Sequence, residues 1–362
     1  MRIGVPKEIK VHEYRVGLSP ASVAELTRAG HSVIIETGAG DGIGFTDQRY
    51  ERAGAVIGSV EEALSAELIV KVKEPQLEEC GRLTAKQVLF TYLHLAADHK
   101  QAEALMRSGV TAIAYETVVG PQGGLPLLSP MSEVAGRMSI QAGAWCLQRA
   151  NGGRGTLLGG VPGVQPGRVV ILGGGISGAN AAAMAVGMQA DVTIREKNVE
   201  RMRHLVDHFE GRACVLMASG DAIEENVLRA DLVVSAVLIP GGSTPKLVSR
   251  DLVRRMPNGS AMVDISIDQG GCFETSRPTS HDAPIYVEEG VVHYCVTNML
   301  GAVARTSTLA LNNVTLPYVK SLADLGVESA LAKDPGFAKG LNVLSGQVVH
   351  PAVREALGLA PT

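Results

Sequence analysis

Aromatic residues are scarce in this chain. Phenylalanine, tyrosine and tryptophan make up 4% of it, with a single tryptophan. Proteins that bind single-stranded nucleic acid stack bases on such rings, so this composition argues against that function. The net charge of −4 also lacks the positive excess that attracts phosphate backbones and anionic membrane surfaces. We therefore expect neither a nucleic acid nor a membrane as a partner.

Cysteine is sparse as well. The five cysteines are odd in number and scattered, and none belongs to a C-x-x-C pair. This pattern is typical of a protein in a reducing compartment, and we expect a cytoplasmic location. His204 and His208 have the spacing of one helix face, but the glutamate of an H-E-x-x-H motif is missing between them. We therefore expect no metal site.

A membrane-spanning segment is not expected either. Residues 169–190 carry no charge over 22 positions, which is long enough to cross a bilayer. Their glycine cluster and Asn180 nevertheless favour a buried strand, turn and helix. The first ten residues have no apolar core of the kind found in a signal peptide.

Glycine is abundant, with 42 residues, and three glycines form the most informative motif. An apolar run at Arg168–Leu172, typical of a buried parallel strand, leads into Gly173, Gly175 and Gly178 with the spacing G-x-G-x-x-G. The first glycine permits a tight turn, the second lets a pyrophosphate approach the backbone, and the third lets the next helix pack closely. The N–H groups at the start of that helix attract phosphate. The sequence therefore predicts a dinucleotide site.

The identity of the dinucleotide depends on two neighbouring residues at the end of the next strand. Glu196 lies 21 positions after Gly175, near the spacing of about 20 that is typical of the acid that binds a ribose hydroxyl of NAD. Arg195 comes directly before it, and an arginine there can accept the 2′-phosphate of NADP. We favour the interpretation of Arg195 as a surface residue at a strand end. NAD is the expected cofactor, and NADP stays open.

The length of 362 residues suits two domains. Strand patterns alternate with helical ones, which predicts parallel sheets. In the first part of the chain, the expected strands include residues 68–72, 87–92 and 111–115. We also expect a helix from Ser132, as its N-cap, to Ala150, a strand at 291–296, a helix at 306–325 and a short helical last segment. The expected fold class is α/β, with two largely parallel sheets flanked by helices.

Polar side chains follow several of these strands. Lys73 and His94 come directly after strands and Arg15 lies on the loop after the first one, so all three reach one sheet edge, where active sites of α/β proteins lie. Taken alone, Arg15 is typical of a surface residue, Lys73 of a solvated lysine and His94 of a hydrogen-bonded core histidine. Histidine titrates near neutrality, however, which suits proton transfer. Asp268 follows a later strand, where a carboxylate can order water or accept a proton.

Several long motifs resemble the bacterial L-alanine dehydrogenase family. They are MRIGVPKEIKVHEYRVGLSP at 1–20, KVKEP at 71–75, TYLHLA at 91–96, SPMSEVAGR at 129–137, LGGGISGANAAAMA at 172–185, SAVLIPGG at 235–242 and VDISIDQGGCFETSRPTSH at 263–281. The resemblance covers almost the whole chain. The wider family includes the soluble nucleotide-binding part of proton-pumping transhydrogenase.

The resemblance implies a reaction and the residues that carry it. The reaction is the reversible oxidative deamination of L-alanine to pyruvate and ammonium, with hydride transfer to NAD, in a homohexamer. Arg15 and Lys73 would bind the substrate, and His94 would be its acid/base partner. Asp268 would orient the water that hydrolyses the imine and would also face the cofactor. The other residues implied to line the cofactor site are Ser132, Ser219, Val237, Leu238, Ile265, Asn298 and Met299.

The resemblance also contributes to the expected domain boundaries. A Rossmann-type NAD domain at residues 129–303 would be inserted in a discontinuous substrate domain made of residues 1–128 and 304–362. The chain departs from the family at Leu300 and Ala304, where the family has proline, and at Arg195, where it has an apolar residue. Because proline restricts the backbone, we expect a looser loop beside the nicotinamide.

Two other functions remain open from the sequence. The chain resembles the transhydrogenase branch of the family too, so it is interpreted alternatively as a nucleotide-binding partner of a membrane transhydrogenase. A non-catalytic NAD-binding protein is the third interpretation. The substrate motifs around Arg15, Lys73 and His94 favour the dehydrogenase.

Overall fold

The computed structural model describes residues 1–237 and 244–360. The chain divides into two compact units, the first comprising Met1–Met131 with Val303–Thr362 and the second comprising Ser132–Ala302. Each unit contains one mostly parallel β-sheet flanked by helices. This architecture confirms the expected α/β fold class.

The elements are numbered in chain order over the described residues. The strands are β1 (Arg2–Val5), β2 (Ser32–Glu36), β3 (Val56–Gly58), β4 (Leu68–Val70), β5 (Val88–Thr91), β6 (Thr111–Ala114), β7 (Arg168–Leu172), β8 (Asp191–Glu196), β9 (Cys214–Met217), β10 (Leu232–Ser235), β11 (Ala261–Asp264), β12 (Ile285–Glu288), β13 (Val291–Tyr294), β14 (Leu341–Leu344) and β15 (Gln347–Val348). The α-helices are α1 (Pro20–Arg28), α2 (Asp47–Arg52), α3 (Val60–Leu64), α4 (Leu77–Cys80), α5 (His99–Ser108), α6 (Ser129–Cys146), α7 (Ile176–Gly187), α8 (Val199–Phe209), α9 (Gly220–Val227), α10 (Arg250–Arg254), α11 (Ala304–Lys333), α12 (Pro335–Ala338) and α13 (Pro351–Ala356). Short 3-10 helices lie at Asp41–Ile43, Leu95–Ala97, Tyr115–Thr117, Arg149–Asn151, Ile265–Gln269 and Met299–Val303.

The sheet of the first unit has the strand order β15-β14-β6-β5-β4-β1-β2-β3. Strands β1 to β6 pair in parallel, and β14 and β15 add antiparallel strands at one edge. Both faces are buried: on β5, Leu89 packs into an aliphatic cluster, whereas the ring of its neighbour Phe90 contacts Tyr115 and Phe337. The chain turns from one side of β1 to the other between β3 and β4. The carboxyl ends of β1 and β4 therefore flank a topological switch point, where α/β proteins place their ligands.

The sheet of the second unit has the strand order β12-β13-β11-β10-β7-β8-β9. All pairs are parallel except β12 with β13. Along β7, Val169 and Ile171 pack into one hydrophobic cluster, and Val170 and Leu172 pack into another on the opposite face. An uninterrupted apolar run such as this is what a parallel strand covered on both faces requires. The switch point of this sheet lies between β7 and β10.

Several predicted elements need correction. The helix expected from Ser132 to Ala150 is α6, which begins at Ser129 and ends at Cys146, so Ser132 lies inside the helix and is not its N-cap. Pro130 is tolerated there because its missing N–H falls in the first turn, where no helical partner exists anyway.

The later strands and helices were predicted less well. The antiparallel strand β12 beside β13 was not expected, and the last segment contains the β14–β15 hairpin before its helix. Strands of two to four residues are too short to show a clear alternation. The helix expected at 306–325 is α11, which extends over Ala304–Lys333 and changes direction at Gly326, where φ is +76°.

The charge-free segment 169–190 forms β7, a glycine turn and α7, as expected. Across the described residues, helices that combine the length and apolarity needed to cross a bilayer are absent.

Candidate active site

Polar side chains follow the carboxyl ends of four neighbouring parallel strands of the first unit. Strands β6, β5, β4 and β1 are adjacent in the sheet. Glu116 follows β6, His94 follows β5, Lys73 follows β4, and Arg15 lies on the long loop after β1. These residues are far apart in sequence, and the parallel register brings their strand ends together.

Arg15 is buried, with 2% of its surface exposed. The alternative of a surface arginine is therefore wrong. Its Nε and Nη2 donate to the two carboxylate oxygens of Glu13 at 2.7 and 2.6 Å, and its backbone N–H donates to Glu13 Oε1 at 3.0 Å. Nη1 lies 3.4 Å from Met131 Sδ. Burial alone would lower the pKa of Arg15, but the bonds with Glu13 outweigh it and raise the pKa, so the guanidinium stays charged and fixed in direction.

Lys73 is half-buried beside this pair. Burial lowers the pKa of its ammonium, and the nearby positive charge of Arg15 lowers it further. Within the described residues, the ammonium has no hydrogen bond or ion pair to a side chain. Lys73 is thus not the solvated lysine that is typical of a strand end, and it adds a second positive charge next to Arg15.

His94 occupies a strained backbone position at the end of β5. Its φ of +51° lies in the left-handed region that side chains rarely adopt. Its backbone N–H donates to Glu116 Oε1 at 2.6 Å, and its ring Nδ1 lies 3.9 Å from the same oxygen. The ring stacks on Tyr92, with 5.8 Å between centroids and 5° between planes. Its side chain is 49% exposed, so the alternative of a core histidine is wrong.

Glu116 and Glu13 are residues that the sequence reasoning missed. Each is a carboxylate that holds a predicted site residue: Glu116 holds the turn at His94, and Glu13 holds the Arg15 guanidinium. Glu13 lies two positions from Arg15, within the motif that carries the resemblance, and this proximity is the signal that could have identified it. Glu116 has no comparable local signal, because its contact depends on the pairing of β5 with β6.

The glycine turn of the second unit has the geometry of a phosphate-binding turn. Gly173 has a φ of +99°. A Cβ on Gly178 would lie 1.8 Å from the carbonyl oxygen of Gly173, which confirms that this glycine permits close packing of α7 on β7. In the part of the chain that the structure describes, a Cβ on Gly175 would meet no other residue within 4 Å. The start of α7 therefore presents open space in front of its first N–H groups, which have no helical acceptors.

Glu196 closes this turn. Its Oε2 accepts the N–H of Gly174 at 2.7 Å, and its Oε1 accepts the N–H groups of Lys197 and Asn198 at 2.7 and 2.9 Å. The sequence reasoning missed Arg201, in the first turn of α8, whose Nε donates to the Gly174 carbonyl oxygen at 2.6 Å. The carboxylate of Glu196 and the guanidinium of Arg201 thus both hydrogen-bond the backbone of Gly174.

Arg195 does not lie on the surface, contrary to the interpretation favoured from the sequence. It is 5% exposed, and its Nη1 donates to the carbonyl oxygen of Met217 at 3.0 Å. On β8 it alternates with Glu196, so the two side chains leave opposite faces of the strand. Arg195 therefore points away from the side of the sheet on which Glu196 meets the glycine turn.

Asp268 lies exposed in the 3-10 helix Ile265–Gln269, directly after β11. The buried Asp264 holds this turn by accepting the N–H of Ser266 at 3.0 Å and that of Cys272 at 2.9 Å. Burial raises the pKa of Asp264, against the effect of these hydrogen bonds.

The remaining predicted cofactor residues lie on several elements of the second unit. Ser219 is the N-cap of α9 and is exposed. Val237 follows β10, and its carbonyl oxygen accepts the Ser266 hydroxyl at 2.6 Å. Asn298, with a φ of +59°, is followed by the buried Met299. Ile265 opens the 3-10 helix, Ser132 lies within α6, and Leu238 lies outside the described residues.

Comparisons with known proteins identify the family of the chain. The family profile described as "Alanine dehydrogenase/PNT, N-terminal domain" matches residues 4–135, and the profile described as "Alanine dehydrogenase/PNT, C-terminal domain" matches residues 139–351. The curated alanine dehydrogenase of Halomonas elongata is 56% identical over 361 residues, covering 99% of this chain and 97% of that protein.

Solved structures give the same result. A structure titled L-alanine dehydrogenase superposes with a TM-score of 0.96 at 56% identity and covers 99% of both chains. A transhydrogenase from Sinorhizobium meliloti superposes with a TM-score of 0.86 at 24% identity, covering 96% of this chain and 100% of that one, a likeness that concerns the fold alone. The two profile matches and the extensive identity establish that the chain belongs to the alanine dehydrogenase/PNT family.

Proposed function

We propose that the protein is an NAD-dependent L-alanine dehydrogenase, an oxidoreductase that acts on the CH–NH₂ group of L-alanine to give pyruvate and ammonium. The observation that carries this proposal is the group of Arg15, Lys73 and His94 at neighbouring strand ends of the first unit. Two positive charges suit a small carboxylate substrate, and an exposed imidazole suits proton transfer. The identity with alanine dehydrogenases supports the choice of amino acid.

The second unit is proposed as the NAD-binding domain and the first as the substrate domain. The glycine turn fits a pyrophosphate because a Cβ built on Gly175 meets no other residue among positions 1–237 and 244–360 within 4 Å. Gly173, Gly175 and Gly178 would hold the pyrophosphate with the N–H groups of α7, and Glu196 would bind the adenosine ribose. The negative charge of Glu196 at the turn disfavours a 2′-phosphate. Arg195, which donates to the carbonyl oxygen of Met217, points away from the turn. These features support NAD over NADP.

The remaining cofactor contacts are assigned by the resemblance and by position. They are Ser132, Ser219, Val237, Leu238, Ile265, Asp268, Asn298 and Met299. When bound, NAD supplies a nicotinamide ring that accepts the hydride from the substrate Cα, and the protein supplies orientation and charge.

Substrate binding falls to the two cations. Arg15, fixed by Glu13, offers its guanidinium to the carboxylate of L-alanine. Lys73 offers an ammonium to the carboxylate and to the oxygen that forms at Cα. Because Arg15 is held in one orientation before substrate arrives, little rotamer entropy is lost on binding.

The proton transfers fall to His94 and Asp268. Loss of the hydride from Cα leaves a positively charged imine, which water attacks at carbon. Asp268 orients that water. His94 accepts the proton that the water releases and moves it to the departing nitrogen, so that the carbinolamine gives pyruvate and ammonium. Positioned acid/base groups of this kind contribute roughly 10²–10⁴-fold to a rate.

We further propose a cytoplasmic homohexamer. The hexamer rests on the resemblance to the family. The cytoplasmic location is supported by the five cysteines, all of which are free thiols. Light scattering of the purified protein measures the assembly directly, and a mass other than six chains contradicts the hexamer.

Product analysis tests the proposed reaction. Purified protein is incubated with L-alanine and NAD, and pyruvate, ammonium and reduced nicotinamide are measured. The proposal expects the three products in equal amounts. Binding of NADH without pyruvate formation would instead support a transhydrogenase partner or a non-catalytic protein.

A further inference from the structure

Three buried charged residues of the first unit contact one another next to the backbone of Lys73. Glu8, Lys71 and Glu79 are each no more than 6% exposed. The Lys71 ammonium lies 3.2 Å from Glu8 Oε2 and 2.8 Å from Glu79 Oε1. Two carboxylates therefore share one buried ammonium. Burial raises the pKa of Glu8 and the charge of Lys71 acts against it, so the ammonium offsets part of the cost of removing this carboxylate from water.

Glu8 has a second set of contacts. Its Oε1 accepts the backbone N–H of Val72 at 2.7 Å and that of Lys73 at 3.3 Å. Strand β4 ends at Val70, so these N–H groups lie beyond the β4 strand and need other acceptors. Glu8, on the loop after β1, supplies them across the switch point of the sheet.

The carbonyl oxygen of Lys73 also has a side-chain partner. The Thr91 hydroxyl, at the end of β5, donates to the carbonyl oxygen of Lys73 at 2.9 Å. The backbone of Lys73 is thus fixed at its N–H by a side chain from the β1 loop and at its carbonyl by one from β5. This arrangement resists movement of the residue from which the Lys73 side chain extends.

We propose that Glu8 is a positioning residue for Lys73: one carboxylate oxygen fixes the Val72–Lys73 backbone while the other is neutralised by Lys71. This inference rests on the proposed role of Lys73 in substrate binding and assigns Glu8 a role that acts through that residue. A misplacement of about 1 Å at a reacting site can cost 10²-fold in rate, so the effect of Glu8 on catalysis is measurable.

Glu79 offers a matched control. Its Oε1 contacts the same ammonium, but its Oε2 accepts the N–H of Gln76 at the start of α4. Each of the two glutamates uses both of its oxygens as acceptors, and an amide has one acceptor oxygen. Glu8→Gln and Glu79→Gln therefore each remove one negative charge beside Lys71, and of the two only Glu8→Gln alters a side chain that bonds the backbone of Lys73.

The first test compares the kinetics of the two variants with those of the wild type. We expect the KM for L-alanine to rise about tenfold or more in Glu8→Gln, with the KM for NAD within twofold of the wild type. Glu79→Gln keeps both values near those of the wild type, although both variants unfold at lower temperature. Equal increases in the two variants, or none in a folded Glu8→Gln protein, overturn the proposal.

The second test does not depend on turnover. Amide hydrogen exchange is measured at Val72, Lys73 and Gln76 in the same proteins. We expect faster exchange at Val72 and Lys73 in Glu8→Gln and at Gln76 in Glu79→Gln. If the wild type fails to oxidise L-alanine, the proposed function fails while exchange still decides whether Glu8 holds Lys73. Unchanged exchange at Val72 and Lys73 overturns the inference about Glu8 and leaves the proposed function standing.

A third variant covers the case in which Glu8→Gln does not fold. Glu8→Asp keeps the negative charge beside Lys71 but shortens the side chain by one methylene, so the carboxylate cannot reach both partners. We expect a folded protein with faster exchange at Val72 and Lys73 and an increased KM for L-alanine. Wild-type exchange and kinetics in Glu8→Asp contradict the role given to Glu8.

Discussion

Glu116 Oε1 accepts the backbone N–H of His94 at 2.6 Å and lies 3.9 Å from Nδ1 of the same residue. The same carboxylate also accepts the N–H of Leu93 at 3.2 Å. A left-handed backbone at a residue with a side chain costs on the order of 1–2 kcal/mol. The bonds to Glu116 stabilise that conformation, and so the carboxylate after β6 fixes the direction of the imidazole after β5.

Replacing Glu116 by alanine tests this relationship. The change leaves the N–H groups of Leu93 and His94 without their acceptor. The Leu93 bonds are partly buried and the His94 bond is exposed, and an ordinary hydrogen bond contributes about 0.5–1.5 kcal/mol net. We expect the free energy of unfolding in urea to fall by about that amount and kcat to fall with it. Glu116→Gln keeps one acceptor and should lose less. An alanine variant as stable and as active as the wild type contradicts the anchoring role.

Lys73→Met separates catalysis from stability. Within the described residues the ammonium has no hydrogen bond or ion pair to lose, and burial already disfavours its charge. We therefore expect a free energy of unfolding within about 1 kcal/mol of the wild type, together with a fall in kcat/KM for L-alanine of roughly 10²-fold, the scale of a lost charge-assisted contact to substrate. Denaturation and initial rates measure the two quantities. Unchanged kcat/KM removes Lys73 from the substrate site.

The glycine turn allows a comparison of two substitutions within one segment. Among the described residues, a Cβ at Gly175 or at Gly187 has no neighbour within 4 Å, so both alanine variants should fold. Gly187→Ala should gain up to about 1 kcal/mol in stability from helix propensity. Gly175→Ala should weaken NADH binding at least tenfold, because its methyl group would occupy the space proposed for the pyrophosphate. Titration of NADH fluorescence measures the affinity of each variant for NADH. Equal affinities in the two variants contradict the placement of the pyrophosphate at Gly175.

The pairing of Glu13 with Arg15 predicts a dependence of stability on pH. Burial acts to raise the pKa of Glu13, but its hydrogen bonds with Arg15 outweigh burial and lower the pKa below the ordinary value of 4.5. A carboxylate with a lowered pKa stabilises the fold fully above the unfolded-state value and loses that contribution as pH falls through the folded-state value. The difference in unfolding free energy between the wild type and Glu13→Gln should therefore be largest above pH 4.5 and shrink below it. A difference that does not change between pH 3 and 6 contradicts the lowered pKa.

The features that could be predicted from the sequence are those that local residue patterns determine. The α/β class, the strand leading into Gly173 and the close packing at Gly178 all depend on residues near one another in the chain, and the structure confirms them. The roles assigned to the site residues stay predictions.

Contacts that depend on which strand ends become neighbours were not predictable from the sequence. Glu116 meets His94 and Glu8 meets Lys73 because β6, β5, β4 and β1 are adjacent in the sheet. The burial of Arg195 was missed for a related reason. An arginine at a strand end is typical of the surface, and its carbonyl partner Met217 is on the neighbouring strand β9.

The most direct test of the account is the rate of NAD reduction, followed by the absorbance of reduced nicotinamide, with and without L-alanine. We predict growth of the signal that requires L-alanine, occurs with NAD, is at least tenfold slower with NADP and is lost in His94→Ala while NADH binding persists. Reduction with NADP alone would keep the reaction and overturn the cofactor assignment. Absence of reduction with either cofactor in a protein that binds NADH would contradict the central claim that this chain oxidises L-alanine.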